Sequence, residues 1–381
     1  MSNIKQAIVD PSQVDSELIK ALEQAGIDYV VQDEVAIKKN YRAGKKQLVV
    51  VDKKGDALDT CATISDHYIC CNVKVLKSIS NCPYDCSYCF LQNYLNDGNT
   101  KVVGNDTALI EEVKEACFKQ PDRIFRIGTW ELGDSLALEH ETGQAQRLIT
   151  AFRDIPNAVL ELKTKSDSVN PILNCDHQHK TVVSWSLNAN TIVETQEHKT
   201  ARLQERLIAL KKVTEAGYLV GLHVDPMIYF EGWEADYESL IRQAIQATRP
   251  DQIAWISLGS LRFNPEMKKK IETNFPASTI TYTEMIRGND GKMRYPKPLR
   301  MRMYGHVINV LADALGCDDL SPQTGFDKPL FYFCMERWDV WHDLLGASPT
   351  SIQDLDYLFA QSLQSRFFPS LPIPNKADYA V

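Results

Sequence analysis

The stretch NCPYDCSYCFLQNYL, residues 81–95, places three cysteines within eight positions. They are Cys82, Cys86 and Cys89 in the spacing C-x3-C-x2-C, with Tyr88 and Phe90 on either side of the last one. Six of the ten cysteines of the chain lie between positions 61 and 89. In a reducing compartment such clustering favours a metal or cofactor site over disulfide bonds.

The number of thiolates indicates one kind of cluster. A 4Fe–4S cluster normally takes four cysteines, so three cysteines leave one iron open. An open iron can chelate the amino and carboxylate groups of S-adenosylmethionine. One electron from the cluster then breaks the sulfonium C–S bond and gives a 5′-deoxyadenosyl radical, so the cofactor supplies the difficult chemistry. The spacing, with an aromatic residue before the last cysteine, resembles the signature of the radical S-adenosylmethionine superfamily.

Two other interpretations of the triplet stay open. A zinc site could recruit a fourth ligand such as His67, although zinc sites usually pair two C-x2-C knuckles and the sequence offers one. An ordinary redox cluster could take Cys70 or Cys71 as its fourth ligand.

The bulk composition is that of a globular protein. The chain has 381 residues, of which 44% are hydrophobic and 24% charged, with a net charge of −8. No apolar run reaches the roughly 18 residues of a membrane helix. The polar N-terminus MSNIKQAIVDPSQV does not resemble a secretory signal. We therefore expect a cytoplasmic protein. Its negative net charge argues against extensive nonspecific binding to nucleic acid, although a local basic patch could bind phosphates.

From residue 68 onward, apolar runs alternate with helical periodicity. The six predicted strands are YICCNVKVLKS (68–78), RIFRIGTWE (123–131), AVLELKTKS (158–166), TVVSWSLN (181–188), YLVGLHVDPM (218–227) and QIAWISLGSLRF (252–263). The clearest predicted helices are TALIEEVKEACFK (107–119), TGQAQRLITAFRD (142–154), TARLQERLIALKKVTEAG (200–217) and YESLIRQAIQAT (237–248). Gly217 is expected to end the third of these helices.

Strands that alternate with helices imply a parallel sheet, and this α/β pattern predicts a partial (β/α)6 barrel, TIM-like but not closed. A doubly wound sheet is the alternative. The gap between the third and fourth strands is short and shows no helical pattern. We divide the chain into a small N-terminal region at 1–66, the partial barrel at 67–263, and a C-terminal α+β extension with a basic stretch at 264–381.

The triplet follows the first predicted strand, and βα barrels keep their active sites where the strands end. Polar residues at the other strand ends are therefore candidates for binding S-adenosylmethionine, whose ammonium needs acceptors and whose carboxylate needs donors. In the alternative interpretation some of them merely cap strands or begin helices. The candidates are Thr129, Glu131, Asp134, Lys163, Lys165, Ser184, Ser186, Asn188, His223, Asp225, Ser257 and Ser260.

Two features lie in the predicted C-terminal extension. Cys334, in FYFCMERW, is either a buried cysteine that packs as a small hydrophobe or a hydrogen-atom donor. The stretch RGNDGKMRYPKPLRMR (287–302) is predicted to be a loop that binds DNA phosphates, with Tyr295 as a stacking surface. The alternative is a solvated loop paired with the acidic body. Its basic residues are Arg287, Lys292, Arg294, Lys297, Arg300 and Arg302.

At several separate places the chain resembles the spore photoproduct lyase family. The matching runs are CCNVKVLKSISNCPYDCSYCFLQNYL, RIGTWELGDSLALEH, LELKTKS, VVSWSLN, GLHVDP, ISLGSLRF, DGKMRYPKPLR and FYFCMERWDVW. The resemblance implies a partial βα barrel, S-adenosylmethionine and a 4Fe–4S cluster on Cys82, Cys86 and Cys89. It also implies repair of a UV-induced thymine dimer in DNA, in which a hydrogen atom is taken from the lesion and later returned.

The resemblance also assigns individual residues and shows two departures. It implies that Lys165 and Ser186 contact S-adenosylmethionine, and Asn188, at the end of the fourth predicted strand, is a further candidate for that contact. In the sporulation enzymes a cysteine after the second strand returns the hydrogen atom, and Glu131 aligns there. A tyrosine after the last cluster cysteine relays the radical, and Phe90 lacks the hydroxyl group for that role.

These departures shape the predicted catalytic residues. Tyr88 is retained, and Glu131 becomes a candidate acceptor for the ammonium group of S-adenosylmethionine. The relay is expected to run through Cys334 or Tyr295 instead of the two missing side chains.

The sequence therefore predicts a cytoplasmic radical S-adenosylmethionine lyase for UV-damaged thymine dimers in DNA, with Tyr88 and Cys334 as catalytic residues. Such an enzyme would take its electron from a reducing partner such as flavodoxin or ferredoxin. One alternative keeps the radical chemistry and changes the substrate to another nucleobase, a peptide or a small molecule. The other is a non-catalytic iron–sulfur or zinc protein that binds nucleic acid.

Overall fold

The computed structural model describes residues 4, 6–61, 65–323 and 325–379. Its strands are β1 (Gln6–Val9), β2 (Asp28–Val31), β3 (Leu48–Val51), β4 (Leu58–Thr60), β5 (Lys74–Leu76), β6 (Ile79–Ser80), β7 (Asp85–Cys86), β8 (Thr100–Val103), β9 (Phe125–Gly128), β10 (Ala158–Thr164), β11 (Thr181–Ser186), β12 (Glu197–His198), β13 (Leu219–Met227), β14 (Ile253–Ser260), β15 (Arg262–Phe263), β16 (Ile286–Arg287), β17 (Met293–Arg294) and β18 (Leu330–Phe333).

Its helices are α1 (Glu17–Gln24), α2 (Tyr41–Gly44), α3 (Leu91–Tyr94), α4 (Asp106–Lys119), α5 (Glu139–Thr142), α6 (Gln144–Arg153), α7 (Asn190–Gln196), α8 (Leu203–Glu215), α9 (Trp233–Gln246), α10 (Pro265–Asn274), α11 (Lys297–Leu315), α12 (Trp338–Leu345) and α13 (Ile352–Arg366). Short 3-10 helices lie at Pro11–Gln13, Asn170–Ile172, Pro250–Gln252 and Lys376–Tyr379.

The largest sheet forms the wall of a partial barrel, in the order β18-β14-β13-β11-β10-β9-β5-β4. Every pair from β5 to β18 is parallel, and β4 lies antiparallel on β5. All residues of β14 and nearly all of β10 are buried. Such continuous apolar runs are typical of parallel strands that are covered on both faces.

The strand order decides between the two predicted architectures. From β5 to β18 the strands follow one another in chain order without a reversal. A doubly wound sheet reverses direction partway, so that alternative is wrong and the predicted partial barrel is confirmed. A seventh parallel strand, β18, comes from the PLFYFCME segment of the predicted C-terminal extension, where a long helix interrupts the earlier rhythm.

The barrel stays open between its first and last parallel strands. Ile69, just before β5, forms an isolated antiparallel bridge with Glu336, just after β18. The Ile69 N–H donates to the Glu336 carbonyl at 2.9 Å. The segment from residue 65 to residue 73 therefore crosses the gap and contributes Cys70 and Cys71 to the interior.

The predicted helices appear as α4, α6, α8 and α9. Helix α8 begins after Arg202, whose N–H donates to the Glu205 carboxylate at 2.7 Å. It ends before Gly217, which has φ +87°, a left-handed conformation that glycine adopts without strain. The short gap between β10 and β11 holds the 3-10 helix Asn170–Ile172, as its sequence indicates. No helix among the described residues is long and apolar enough to cross a membrane.

A second, smaller sheet runs in the order β2-β1-β3-β8-β6 around its own apolar core. Two of its strands, β6 and β8, come from outside the predicted N-terminal region 1–66. The cysteine stretch leaves this sheet after Ser80 and returns to it at Thr100. The N-terminal residues and the cysteine loop are therefore held next to each other.

The predicted basic loop at 287–302 has a different structure. Strands β16 and β17, in residues 286–294, form a small antiparallel sheet with β15 in the order β15-β17-β16, and α11 begins at Lys297. Tyr295 is fully buried and offers no stacking surface, so that prediction is wrong. Helix α11 contains the mainly apolar run MRMYGHVINVL (301–311), and Arg300 and Arg302 lie on this helix and not in a loop.

Candidate active site

A cavity of about 540 Å³ opens at the carboxyl ends of the barrel strands. Cys82, Cys86 and Cys89 line it on one side, and Cys334 also lines it. The predicted site residues that reach the cavity are Tyr88, Glu131, Asp134, Lys163, Lys165, Ser186, His223 and Asp225. These residues, most of which were predicted from the ends of strands, therefore surround one cavity.

The cysteine loop is held in shape by backbone pairing. Strand β7 pairs with β12, and the Cys89 N–H donates to the Cys86 carbonyl at 3.2 Å. At its start, the Asn81 side chain accepts from the Cys82 N–H at 2.8 Å and donates to the Gly98 carbonyl at 2.6 Å. The loop thus turns its three free thiols toward one cavity.

Three cysteine thiols that line one cavity are a donor set that a 4Fe–4S cluster can use. No group of three or more His, Cys, Asp and Glu side chains in the described part of the chain is arranged to hold one metal ion. The cysteines of a cluster each bind a different iron, so they stand farther apart than the ligands of one ion. His67, the proposed fourth zinc ligand, is exposed. Burial raises the pKa of Cys82, and raises that of Cys86 to about 12.

Helix α2 and the residues beside it brace the cysteine loop, a contact that sequence periodicity cannot reveal. The Tyr41 hydroxyl lies 3.4 Å from Sγ of Cys89. Arg42 Nε pairs with Asp85 Oδ2 at 2.8 Å. The buried ammonium of Lys45 donates to the Tyr84 carbonyl.

Lys165 and Ser186 are brought together as the family resemblance implies. Lys165 Nζ donates to Ser186 Oγ at 2.8 Å, and both residues line the cavity. Asp134 accepts from the Lys165 N–H at 2.8 Å and from Thr164 Oγ1 at 2.6 Å, which fixes the strand end. Although burial opposes it, nearby Glu197 raises the pKa of Lys165, so this ammonium stays charged. An anionic ligand group would therefore find a charged donor here.

Tyr88 hydrogen-bonds to a buried ion pair that no sequence pattern predicts. Its hydroxyl donates to Glu197, whose carboxylate also pairs with Arg206 at 2.5 Å. Burial and the Glu197 charge raise the pKa of Tyr88. Phe90, the departure from the family pattern, lines the cavity and packs edge-on against Tyr94 with ring centroids 5.9 Å apart.

Glu131 contacts a thiol from another part of the chain. Its Oε1 atom lies 3.1 Å from Sγ of Cys61, and both side chains are buried. Cys70 is within hydrogen-bonding reach of both Cys61 and Cys71. A group of thiols thus lies at the open edge of the barrel, in the same cavity as the triplet.

Asn188 is not brought to the cavity. Its side chain donates to the Pro226 carbonyl at 2.9 Å and accepts from the Tyr237 hydroxyl at 2.7 Å. With its amide occupied and only 1% of its surface exposed, Asn188 holds the turn after β13. Its predicted contact with S-adenosylmethionine is therefore not supported by its position.

Glu161, on β10, organises the floor of the cavity and was not among the predicted residues. Its carboxylate accepts from His223 Nε2 at 2.9 Å and pairs with Arg126 at 2.8 Å. It also accepts from Ser184 Oγ at 2.8 Å, so Ser184 serves the floor rather than the cavity. Burial lowers the pKa of His223 to about 4, which keeps its imidazole neutral near pH 7.

Other predicted strand-end residues serve the framework as well. Thr129 donates to Ser135 Oγ at 2.7 Å. Ser257 and Ser260 are buried in β14 and do not line the cavity. Lys163 reaches the cavity, with its Nζ 3.4 Å from the ring centroid of Trp130.

Cys334 lines the cavity just after β18, beside a buried ion pair. Arg262 forms two hydrogen bonds with Asp225, at 2.9 and 3.1 Å. The same guanidinium lies 3.2 Å from Sγ of Cys334. Burial and the Asp225 charge raise the pKa of Cys334 well above its usual range, so its sulfur carries a proton at neutral pH.

The basic residues of the 287–302 stretch are mostly tied to carboxylates. Arg300 is buried and pairs with Glu336 at 2.9 Å, while Arg294 is buried and pairs with Asp290 at 2.6 Å. The prediction of a free basic loop is wrong at both positions, because an arginine inside the protein needs a partner. Lys297 pairs with Asp339 and Asp343, and Arg302 pairs with Glu234. Lys292 lines the cavity, and Arg287 is exposed.

Comparison with known proteins agrees with this geometry. Residues 28–299 match the family model described as spore photoproduct lyase. The spore photoproduct lyase of Bacillus subtilis is 26% identical over 251 residues, covering 65% of this chain and 71% of the relative. That of Clostridium acetobutylicum is 23% identical over 245 residues, covering 64% and 70%.

Solved structures show the same fold. A spore photoproduct lyase complexed with dinucleoside spore photoproduct superimposes with a TM-score of 0.72 at 21% identity, covering 87% of this chain and 98% of the other. A double mutant with bound AdoMet and the same dinucleoside gives a TM-score of 0.73 at 21% identity, with the same coverage.

Proposed function

The chain belongs to the spore photoproduct lyase family, and from that membership we propose that it is a radical S-adenosylmethionine lyase that repairs UV-induced thymine dimers in DNA. When bound, a 4Fe–4S cluster with S-adenosylmethionine supplies a 5′-deoxyadenosyl radical that takes a hydrogen atom from the lesion. The observation that carries the proposal is the common cavity shared by three loop thiols, the Lys165–Ser186 pair and Cys334.

The protein's first task is to hold the cofactors. In this proposal Cys82, Cys86 and Cys89 bind three irons of the cluster and leave the fourth iron open. The Lys165 ammonium and the Ser186 hydroxyl, 2.8 Å apart, bind the carboxylate or ribose oxygens of S-adenosylmethionine. Glu131 is the proposed acceptor for the ammonium group of S-adenosylmethionine. That ammonium group would compete with the Cys61 thiol for the Glu131 carboxylate.

The second task is to return a hydrogen atom to the repaired thymine. We assign this role to Cys334, whose raised pKa keeps the S–H bond intact at neutral pH. The S–H bond breaks, a C–H bond forms on the thymine radical, and the unpaired electron passes to sulfur. The sulfur then regains a hydrogen atom from the hydroxyl group of Tyr88, which restores the thiol, and Tyr88 in turn takes one from the methyl group of 5′-deoxyadenosine. Arg262 and Asp225 hold Cys334 in place.

Tyr88 is proposed as the relay residue for that return. The phenol gives up its proton and its electron together, so its O–H bond breaks as the S–H bond of Cys334 forms. The Glu197 carboxylate accepts the hydrogen bond of Tyr88 and is kept ionised by Arg206, although burial opposes ionisation. The family places a second tyrosine at position 90, and Phe90 lacks the hydroxyl group, so this proposal gives the relay role to Tyr88.

DNA binding is proposed to use a smaller basic surface than the sequence suggested. Arg287 is exposed and Lys292 lines the cavity. These two side chains, from the segment that holds β16 and β17, are the proposed contacts with DNA phosphates. An electron donor such as flavodoxin or ferredoxin belongs to the same proposal. So does a cytoplasmic location, because free thiols and a low-potential cluster require a reducing compartment.

Anaerobic reconstitution with iron and sulfide tests the proposal. After reduction with dithionite, the wild-type protein should cleave S-adenosylmethionine to 5′-deoxyadenosine and methionine. The variant Cys82→Ala, Cys86→Ala, Cys89→Ala should neither bind the cluster nor cleave, while Cys175→Ala, a thiol outside the cavity, should behave as wild type. A wild-type protein that assembles a cluster and fails to cleave S-adenosylmethionine would refute the proposal.

A further inference from the structure

A tyrosine from the N-terminal part of the chain contacts the cysteine triplet. The Tyr41 hydroxyl oxygen lies 3.4 Å from Sγ of Cys89, although the two residues are 48 positions apart. We infer that Tyr41 donates a hydrogen bond to the cluster-bound thiolate of Cys89 and thereby raises the reduction potential of the cluster. This inference rests on the proposed function, since it requires a cluster on Cys89.

The direction of the hydrogen bond follows from the chemistry of its two partners. Between a free thiol and a phenol, either group can donate. A cysteine bound to iron is a thiolate and carries no proton, so it can only accept. A phenol has an ordinary pKa of about 10 and keeps its proton at neutral pH. Tyr41 is therefore the donor once the cluster is in place.

Several contacts fix the Tyr41 hydroxyl near the loop. The Asn40 side chain accepts from the Ala43 N–H at 3.0 Å and caps α2 just before Tyr41. Lys45 Nζ lies over the Tyr41 ring, 4.1 Å from its centroid. Arg42 anchors the same short helix to Asp85, between two of the triplet cysteines. A tyrosine on a helix anchored in this way loses little conformational entropy when its hydroxyl donates.

A close backbone contact explains how the helix comes so near to the loop. A methyl group at Gly44 would lie 2.2 Å from the Gly98 backbone, and one at Gly98 would lie 2.8 Å from the Asn40 carbonyl oxygen. Two glycines therefore let α2 pack directly against the segment that returns from the cysteine loop. This packing points to a built contact between the N-terminal sheet and the cluster site.

A hydrogen bond to a ligand sulfur draws electron density away from the irons. It stabilises the reduced cluster more than the oxidised one, because the reduced cluster is more negative, and the potential rises. Only the difference between the two oxidation states shifts the potential, and we expect loss of the hydrogen bond to change the equilibrium constant for reduction about tenfold. For one electron, a tenfold change corresponds to about 59 mV.

The test is an anaerobic redox titration of the reconstituted full-length protein, without S-adenosylmethionine. The electron paramagnetic resonance signal of the reduced cluster reports the midpoint potential. Tyr41→Phe should lower the equilibrium constant for reduction about tenfold relative to wild type. Tyr94→Phe is the matched control, because Tyr94 lies in the same neighbourhood and packs on Phe90. Its potential should equal that of wild type.

A second variant covers the case in which Tyr41→Phe assembles no cluster. Replacing Tyr41 with 3,5-difluorotyrosine keeps its shape and makes the phenol a stronger donor, so the potential should rise. An unchanged potential in Tyr41→Phe at wild-type iron content would overturn the inference, and so would an unchanged potential in the fluorinated protein. If the wild-type protein assembled no cluster, the proposed function would fail instead.

Discussion

The Sγ atom of Cys61 lies 3.1 Å from Oε1 of Glu131, the residue that the sequence resemblance predicts at the position of the family's hydrogen-donating cysteine. A thiol therefore remains close to the place from which the family residue is missing. Cys61 is only 8% exposed, whereas Cys334 is half-buried and lines the same cavity. The more accessible thiol is the better donor to a substrate radical.

This difference predicts the outcome of removing each thiol. Cys334→Ala should lower the rate of thymine restoration roughly a hundredfold, the loss expected when one catalytic group is removed. Cys61→Ala should retain most of the rate. The measurement is restoration in D2O, where exchangeable thiols carry deuterium into the repaired thymine.

Mass analysis of the released thymine separates the two assignments. Deuterium in the product of Cys61→Ala, and its loss in Cys334→Ala, are the expected results. The reverse pattern would assign the donor role to Cys61 and remove Cys334 from the mechanism.

Binding of S-adenosylmethionine should depend on Lys165. Lys165→Met removes a charged donor beside Ser186, and a hydrogen bond to a charged group contributes roughly 1.5–3 kcal/mol. The Kd for S-adenosylmethionine should therefore rise about 10- to 100-fold. Equilibrium dialysis with the reconstituted protein measures it. Ser257→Ala, a buried serine away from the cavity, should leave Kd unchanged; an unchanged Kd in Lys165→Met would contradict the assignment.

Two neighbouring arginines of α11 should differ sharply in their effect on stability. Arg300→Ala leaves Glu336 buried without its partner and should lower the free energy of unfolding by about 3–5 kcal/mol. Arg302→Ala breaks an exposed ion pair with Glu234 and should cost less than about 1 kcal/mol. Urea denaturation of the two variants provides the comparison. Equal losses would mean that Arg300 is not held as described.

His223, at the floor of the cavity, should make the free energy of unfolding depend on pH. The pKa of His223 is about 4 in the folded protein and 6.5 without burial, so between these values the unfolded chain binds a proton that the folded one does not. Stability contributed by neutral His223 is therefore present above pH 6.5 and is lost as the pH falls. From pH 7 to pH 5 the loss should be about 2 kcal/mol.

Urea denaturation at both pH values checks this. His223→Gln cannot take up the proton and should show a smaller decrease in the free energy of unfolding by about that amount. An identical pH dependence in the two proteins would show that His223 does not titrate in this way.

Much of the barrel can be predicted from the sequence because each parallel strand is a continuous apolar run. The third to sixth predicted strands contain β10, β11, β13 and β14 at the expected places. The cysteine triplet could likewise be interpreted, since its ligands are local in sequence. Strand β18 was harder to recognise, because α11 separates it from the rhythm of the preceding units.

What sequence patterns could not supply are contacts between distant segments. Tyr41 reaches the site through packing of the N-terminal sheet and Cys61 through the strand β4 beside β5, and periodicity encodes neither contact. Glu161 lies mid-strand in an apolar run, where a buried carboxylate is explained only by its partner Arg126 on β9. The prediction of a free basic loop failed for the same reason, because Glu336, the partner of Arg300, is 36 positions away in the sequence.

The central claim is that this cavity repairs a thymine lesion by radical chemistry. The most direct measurement uses the reconstituted, dithionite-reduced protein with S-adenosylmethionine and DNA that carries spore photoproduct. Digestion and mass analysis then quantify dimer, thymidine and 5′-deoxyadenosine together. We predict loss of the dimer with matching gain of thymidine. Formation of 5′-deoxyadenosine while the dimer stays intact would contradict the account and show that the radical acts on another substrate.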